Sequence, residues 1–162
     1  AYISAFEDAK AVQYLEKLGE LDKDNVVTLL DVVDVCVSSG QFKKAYNWVN
    51  KAIALDKSLG KCYFQRAEVL VALVETNIGE DIDFCDRLVY DLAWNDYNLS
   101  YSNGYLNAKV YRDQLDDFVT TKGDWFLNAE NAKQISPSSQ DCIKLKKSDC
   151  YKWLERKVES KR

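Results

Sequence analysis

Five cysteines, an abundance of carboxylates and a complete absence of histidine set the chemistry open to this 162-residue chain. The thiols are Cys36, Cys62, Cys85, Cys142 and Cys150. No two of them have the short spacing of a zinc-binding knuckle. Without histidine, a zinc site would need distant thiolates or carboxylates. Cys36 and Cys85 fall at core-facing helical positions and Cys62 lies beside one, so they read as small hydrophobes. A disulfide between Cys142 and Cys150 is the alternative if the protein is exported. A nucleophilic triad would need lysine or a carboxylate as its base. Glu80, Asp81 and Asp83 cluster near a predicted helix start, where carboxylates meet the helix dipole favourably and need no catalytic role. The run from Asp81 to Asp86 lacks the glycine and terminal glutamate of a calcium loop, and no glycine-rich phosphate loop is present. Asn98, Leu99 and Ser100 form an acceptor pattern for glycosylation that is common by chance. The residues therefore point to no catalytic centre, no metal and no cofactor.

The elements behind these residues are helical. One proline and six glycines in a chain that is 47% hydrophobic and 30% charged favour long helices over a turn-rich sheet. No apolar run approaches the roughly 18 residues that span a membrane. Net charge is −4, unevenly spread. The stretch from Glu68 to Tyr97 holds eight acids against the single Arg87, whereas Lys144 to Arg162 holds eight basic and three acidic residues. Bulk acidity argues against nucleic acid as a partner. The basic ending, interrupted by Ile143, Leu145, Tyr151 and Trp153, reads as the solvated edge of a folded cap.

The strongest pattern is a repeat. Ala11, Leu15, Leu18 and the triplet Leu21, Asp22, Lys23 recur 34 residues later as Ala45, Val49, Ala52 and Leu55, Asp56, Lys57. That period, with small and apolar residues three and four apart, marks stacked helical hairpins. A single hairpin cannot bury its apolar stripe, whereas stacked hairpins share one core and small residues let them approach closely.

Gly40, Phe42 and Ala45, followed by Val49, Ala52, Leu55 and Asp56, resemble the second half of a tetratricopeptide motif. The preceding stretch, residues 26–39, carries Leu29, Val32, Val33 and Cys36 where that family places its large, large, small and large residues. Tyr63, Ala67 and Leu70 fit the next repeat. Two departures are Lys57 in place of the usual proline and Val33 in place of a small residue. The stretch from Leu88 to Trp94, with the ending Cys150 to Trp153, also resembles a group of bacterial tetratricopeptide proteins of uncertain function.

The resemblance implies an all-α fold, a right-handed solenoid of helical hairpins over residues 1–120. Residues 121–162 form a C-terminal extension packed on the repeat as an irregular or β-hairpin cap. Helices are predicted from about Asp81 to Asp96 and from about Asn103 to Thr120, after which the pattern fades. Residues 142–146 and 150–153 alternate as in two short strands, with a helix capped by Ser148 or Asp149 as the alternative.

The family's partner-binding face is the concave one, lined by the first helix of each hairpin. Here it would present Leu30 and Asp34, then Lys61, Phe64 and Glu68, then Tyr105, Lys109 and Arg112, with Val27, Val37 and Val71 beside them. The family's clamp for the carboxylate terminus of heat-shock chaperones is disfavoured, because Leu30 and Asp34 stand where lysine or asparagine would be needed. The expected function is that of a non-catalytic scaffold whose groove takes a protein or peptide. The alternative is a structural or self-associating segment of a longer repeat protein, so a homo-oligomer is possible. The chain opens at Ala1 inside a predicted helix. A cytoplasmic location is the simpler expectation, with export possible if an upstream signal has been removed.

Overall fold

Asn25 begins the first complete hairpin. Its side-chain oxygen accepts from the backbone amides of Val27 at 3.0 Å and Thr28 at 3.4 Å, satisfying two donors that a helix start leaves unpaired. The helix it caps, α2 (Val26–Ser38), ends where Gly40 takes the left-handed φ of +69°. The amide of Gln41 returns to the carbonyl of Cys36 at 2.8 Å, and α3 (Phe42–Leu55) runs back. In the computed structural model, which describes residues 2–139, 142 and 150–160 and the side chains from residue 10 onward, this hairpin lies between α1 (Tyr2–Leu21) and α4 (Gly60–Asn77). There follow α5 (Phe84–Ser102), α6 (Ala108–Gln114) and α7 (Lys122–Ala129). The described residues are thus mostly helical, with seven helices and one two-stranded sheet, β1 (Gln134–Ile135) antiparallel to β2 (Val158–Glu159). None of the described helices is long and apolar enough to cross a membrane.

The first six helices pack each on its chain neighbours, α1 on α2, α2 on α3, α3 on α4, α4 on α5 and α5 on α6, which gives a sequential stack. The shared core contains Leu29, Val33, Cys36, Ala45, Val49, Ala52, Ala67, Leu70, Leu88 and Leu92. Small residues set the close approaches. A Cβ on Gly19 would lie 3.1 Å from both the Trp48 ring and Val32, so α1, α2 and α3 converge there. A Cβ on Gly60 would lie 2.6 Å from the Ser100 carbonyl oxygen, so the start of α4 abuts the end of α5.

Several sequence expectations are corrected here. The helix expected from about Asp81 starts later and runs on to Ser102, because Asp83 and Asp86 form a reciprocal capping box at its start. The helix expected from about Asn103 to Thr120 shrinks to α6. Gly104, at φ +87°, ends α5, and residues 115–118 form turns. The pattern does not fade at Thr121, which caps α7 in a second capping box with Asp124. The C-terminal hairpin is also different: residues 150–153 are turn, and Val158–Glu159 pairs instead with Gln134–Ile135. The other half of the expected hairpin, residues 143–146, lies outside the described residues.

The final segment runs back across the stack. Trp153 packs edge-on against Tyr46 of α3 at 5.3 Å, and the Tyr151 hydroxyl donates to buried Asp86 of α5 at 2.6 Å. Arg156 reaches the fully buried Asp96, which Arg66 of α4 also grips. The cysteine assignment changes with it. Cys85 is bonded to Cys142, not left as a free core thiol, and Cys150 donates to Asn77 at 3.0 Å in place of the Cys142–Cys150 bond considered above. Cys36 and Cys62 are buried thiols. Burial, reinforced by Glu16, pushes Cys36 up to about 11, and burial likewise raises Cys62.

Candidate protein-binding face

Helical spacing assembles the face. In α2, Leu30 and Asp34 stand one turn apart. In α4, Lys61, Phe64 and Glu68 recur at three and four residues. The turn after Gly104 carries Tyr105 back over α4, and α6 adds Lys109 and Arg112. Two of the expected residues are drawn into the protein. Leu30 is 3% exposed and belongs to the core, and Phe64 is half-buried beneath three tyrosines. Its ring lies 4.9 Å from Tyr105, 4.9 Å from Tyr111 and 5.4 Å from Tyr97, in tilted and edge-on geometries that favour aromatic packing. Tyr97 is buried, but Tyr111 is 42% exposed, so the cluster forms an aromatic floor open to solvent at Tyr111. Tyr111 was not among the residues expected from the sequence at this face. Its placement depends on α6 being short and turned so that Ala108 and Leu115 face inward.

Charged groups border this floor. On the α2–α4 side, Gln65 donates to Asp34, and Tyr97 donates to Glu68. Burial and nearby Asp31 push the Asp34 carboxyl up, while Lys61 draws it back, which places Lys61 and Asp34 in electrostatic reach. Burial and the hydrogen bond to Glu68 raise the Tyr97 phenol well above its ordinary range, so it stays a neutral donor. On the α6 side, Lys109 is exposed. Arg112 is held by Asn98 at 2.9 Å and Asp113 at 2.7 Å, with its guanidinium 5.5 Å from the centre of the Trp94 ring. Arg112 is therefore pre-oriented, whereas Lys109 can follow a ligand.

Other polar groups are spent on structure. Trp94 borders a cleft of about 630 Å³ with Asp91, Asn95, Asp116 and Lys157. Trp94 donates to Asp116 at 2.8 Å, and Asp91 accepts from the Thr120 hydroxyl at 2.6 Å. No group of three acidic or cysteine side chains able to hold a metal occurs among the described residues. Asn98 accepts from Arg112 through Oδ1, and Ser100 is buried inside α5, so the glycosylation pattern lies within a helix with its serine turned inward. Sequence reasoning also missed Arg156. It stands 60 residues from its partner Asp96, a separation at which no local signal operates. Of the basic C-terminal stretch, Lys144, Lys146, Lys147, Lys161 and Arg162 lie outside the described residues. No protein-family model matches the chain, and no curated protein matches it.

Proposed function

We propose that the chain is a non-catalytic, tetratricopeptide-like scaffold that binds a peptide or an extended protein segment across α2, α4 and α6. The observation that carries this reading is the aromatic floor of Phe64, Tyr105 and Tyr111, half-buried but open at Tyr111, with Asp34 and Glu68 along one border. Aromatic groups contribute most of the energy in typical interfaces, and flanking carboxylates steer cations towards them. The ligand is therefore a segment with an aromatic or aliphatic anchor beside lysine or arginine. The 34-residue repeat and the sequential helix stack support the tetratricopeptide comparison. The Cys85–Cys142 bond favours an oxidising compartment over the cytoplasm.

A displayed library of random peptides tests the function. Selection on the wild type should enrich apolar anchors flanked by basic residues, and the same peptides should fail on Tyr111→Ala and on Asp34→Asn combined with Glu68→Gln. Enrichment without that pattern, or equal capture by the folded variants, would move the binding surface elsewhere.

A further inference from the structure

Three elements wall the cleft beside Trp94. Helix α5 contributes Asp91, Trp94 and Asn95, the turn after α6 contributes Asp116 and Val119, and the final segment contributes Lys157, Val158 and Glu159. The two outer walls are pinned to α5 independently. Trp94 donates to Asp116 and the Thr120 hydroxyl donates to Asp91, which fixes the turn. Arg156, next to Lys157, grips Asp96, next to Asn95, which fixes the final segment. The space of about 630 Å³ is therefore formed before any ligand arrives, and it lies within the range of small-ligand sites, about 300–1,000 Å³. The pinning consumes Asp91 and one oxygen of Asp116. Asn95, Lys157 and Glu159 are exposed, and among the described residues their side chains make no hydrogen bond or ion pair, nor does Oδ2 of Asp116.

This lining selects a ligand by chemistry. Asp116 and Glu159 repel an anion. A simple cation would satisfy those carboxylates but leave the Lys157 ammonium and the Asn95 amide donors unused. A hydroxyl both donates and accepts, so a set of hydroxyls can donate to the carboxylates and accept from Lys157 and Asn95 at once. Trp94, Val119 and Val158 form the apolar share of the lining and suit a C–H face rather than a further polar group. A sugar ring carries both features, hydroxyls around its edge and apolar C–H groups on its face. We propose that this cleft is a carbohydrate-binding site for a neutral sugar of one or two rings, with Trp94 as the stacking platform and Asn95, Asp116, Lys157 and Glu159 as the hydroxyl partners. The Trp94 ring is held for that role by Asp116 on its N–H and by the Arg112 guanidinium 5.5 Å from its centre. The cleft shares no residue with the aromatic floor of Phe64, Tyr105 and Tyr111, so it operates whether or not a peptide is bound.

Nuclear magnetic resonance titration of the isotope-labelled full chain with maltose, cellobiose, lactose and chitobiose tests it. At least one of these disaccharides should give saturable shifts at the Trp94 indole N–H and at the amides of Asn95, Lys157, Val158 and Glu159, with the Tyr111 amide unmoved. Asn95→Ala combined with Glu159→Ala removes two hydroxyl partners and should weaken that binding about tenfold. The circular dichroism spectrum of this variant should be unchanged, since both side chains are exposed and uncommitted. Putrescine, a diamine, should not displace the sugar. No saturable shift at the cleft with any of the disaccharides up to about 10 mM, ten times a dissociation constant of about 1 mM, would overturn the inference. So would equal affinity for the folded double variant. Binding of putrescine alone at these residues would also overturn it, by showing an acidic patch that takes cations and not sugars.

Discussion

Asp96→Asn tests how the final segment is fastened. The Asp96 side chain is fully buried, and the two arginines that grip it are 12% and 29% exposed. Arg66 donates Nε and Nη2 at 2.8 and 2.7 Å, and Arg156 donates Nη1 and Nη2 at 2.6 and 2.8 Å. One carboxylate therefore accepts four charge-assisted bonds and balances two cations. An ion pair in solvent would contribute at most about 1 kcal/mol. Here the amide keeps the shape but loses the charge and half the acceptor capacity, leaving two guanidiniums in a poorly hydrated site. That loss costs about 3–5 kcal/mol. For a chain of this length the melting temperature should fall by roughly 10 °C, at about 2–4 °C per kcal/mol. Arg156→Gln should cost less, about 1–3 kcal/mol, because Arg66 retains both of its bonds to Asp96. It should also loosen the segment specifically, so that trypsin cuts faster at Lys152 and Lys157. Urea unfolding of both variants supplies the energies. A loss below about 1 kcal/mol for Asp96→Asn would mean that water reaches the site and that the final segment is not anchored there.

Three further outcomes follow from the same packing. Reducing the Cys85–Cys142 bond, which closes a loop across 57 positions, should lower unfolding free energy by about 4 kcal/mol in the chain-entropy account; coincident urea curves with and without reductant would contradict that linkage. Burial, then the hydrogen bonds to Asp86 and Glu68, raise Tyr151 and Tyr97 above their ordinary range. Their contribution is thus complete below the unfolded tyrosine value, about pH 10, and declines above it at about 1.4 kcal/mol per pH unit for each group. Tyr151→Phe should make that decline visibly shallower, and an identical slope would refute the assignment. Gly60→Ala should destabilise by about 1–3 kcal/mol although alanine is the better helix former, because its Cβ would meet the Ser100 and Asn103 carbonyl oxygens at 2.6 and 2.9 Å; a stabilised variant would show that α4 and α5 can separate without cost.

The central hairpin was legible because its signals are local. Gly40 supplies the left-handed turn, and apolar residues three and four apart mark the faces of α2 and α3. The repeat located α1 equally well but not its surroundings. Ala45 and Ala52 are buried while Ala11 and Leu18 are exposed, since burial depends on which helix lies opposite and not on the residue itself. The start of α7 was written in Thr121 and Asp124 as a capping box, a signal available but unread. The fastening of the final segment was not legible. Cys85 with Cys142 and Asp96 with Arg156 are contacts between distant parts of the chain, and the nearer Cys150 was the more obvious partner for Cys142. Within the candidate face, spacing brought Lys61, Phe64 and Glu68 together. It could not show that Tyr105 and Tyr111 would fold over Phe64, because that depends on the turn at Gly104 and the shortness of α6.

Titration calorimetry with one selected peptide, an aromatic anchor between two lysines, tests the scaffold reading most directly. The wild type should bind with one-to-one stoichiometry. Tyr111→Ala should lose about 1–3 kcal/mol of binding free energy, and Asp34→Asn with Glu68→Gln should weaken binding and flatten its salt dependence. Equal affinity for wild type and both folded variants would contradict the claim that the aromatic floor between α4 and α6 is the binding site.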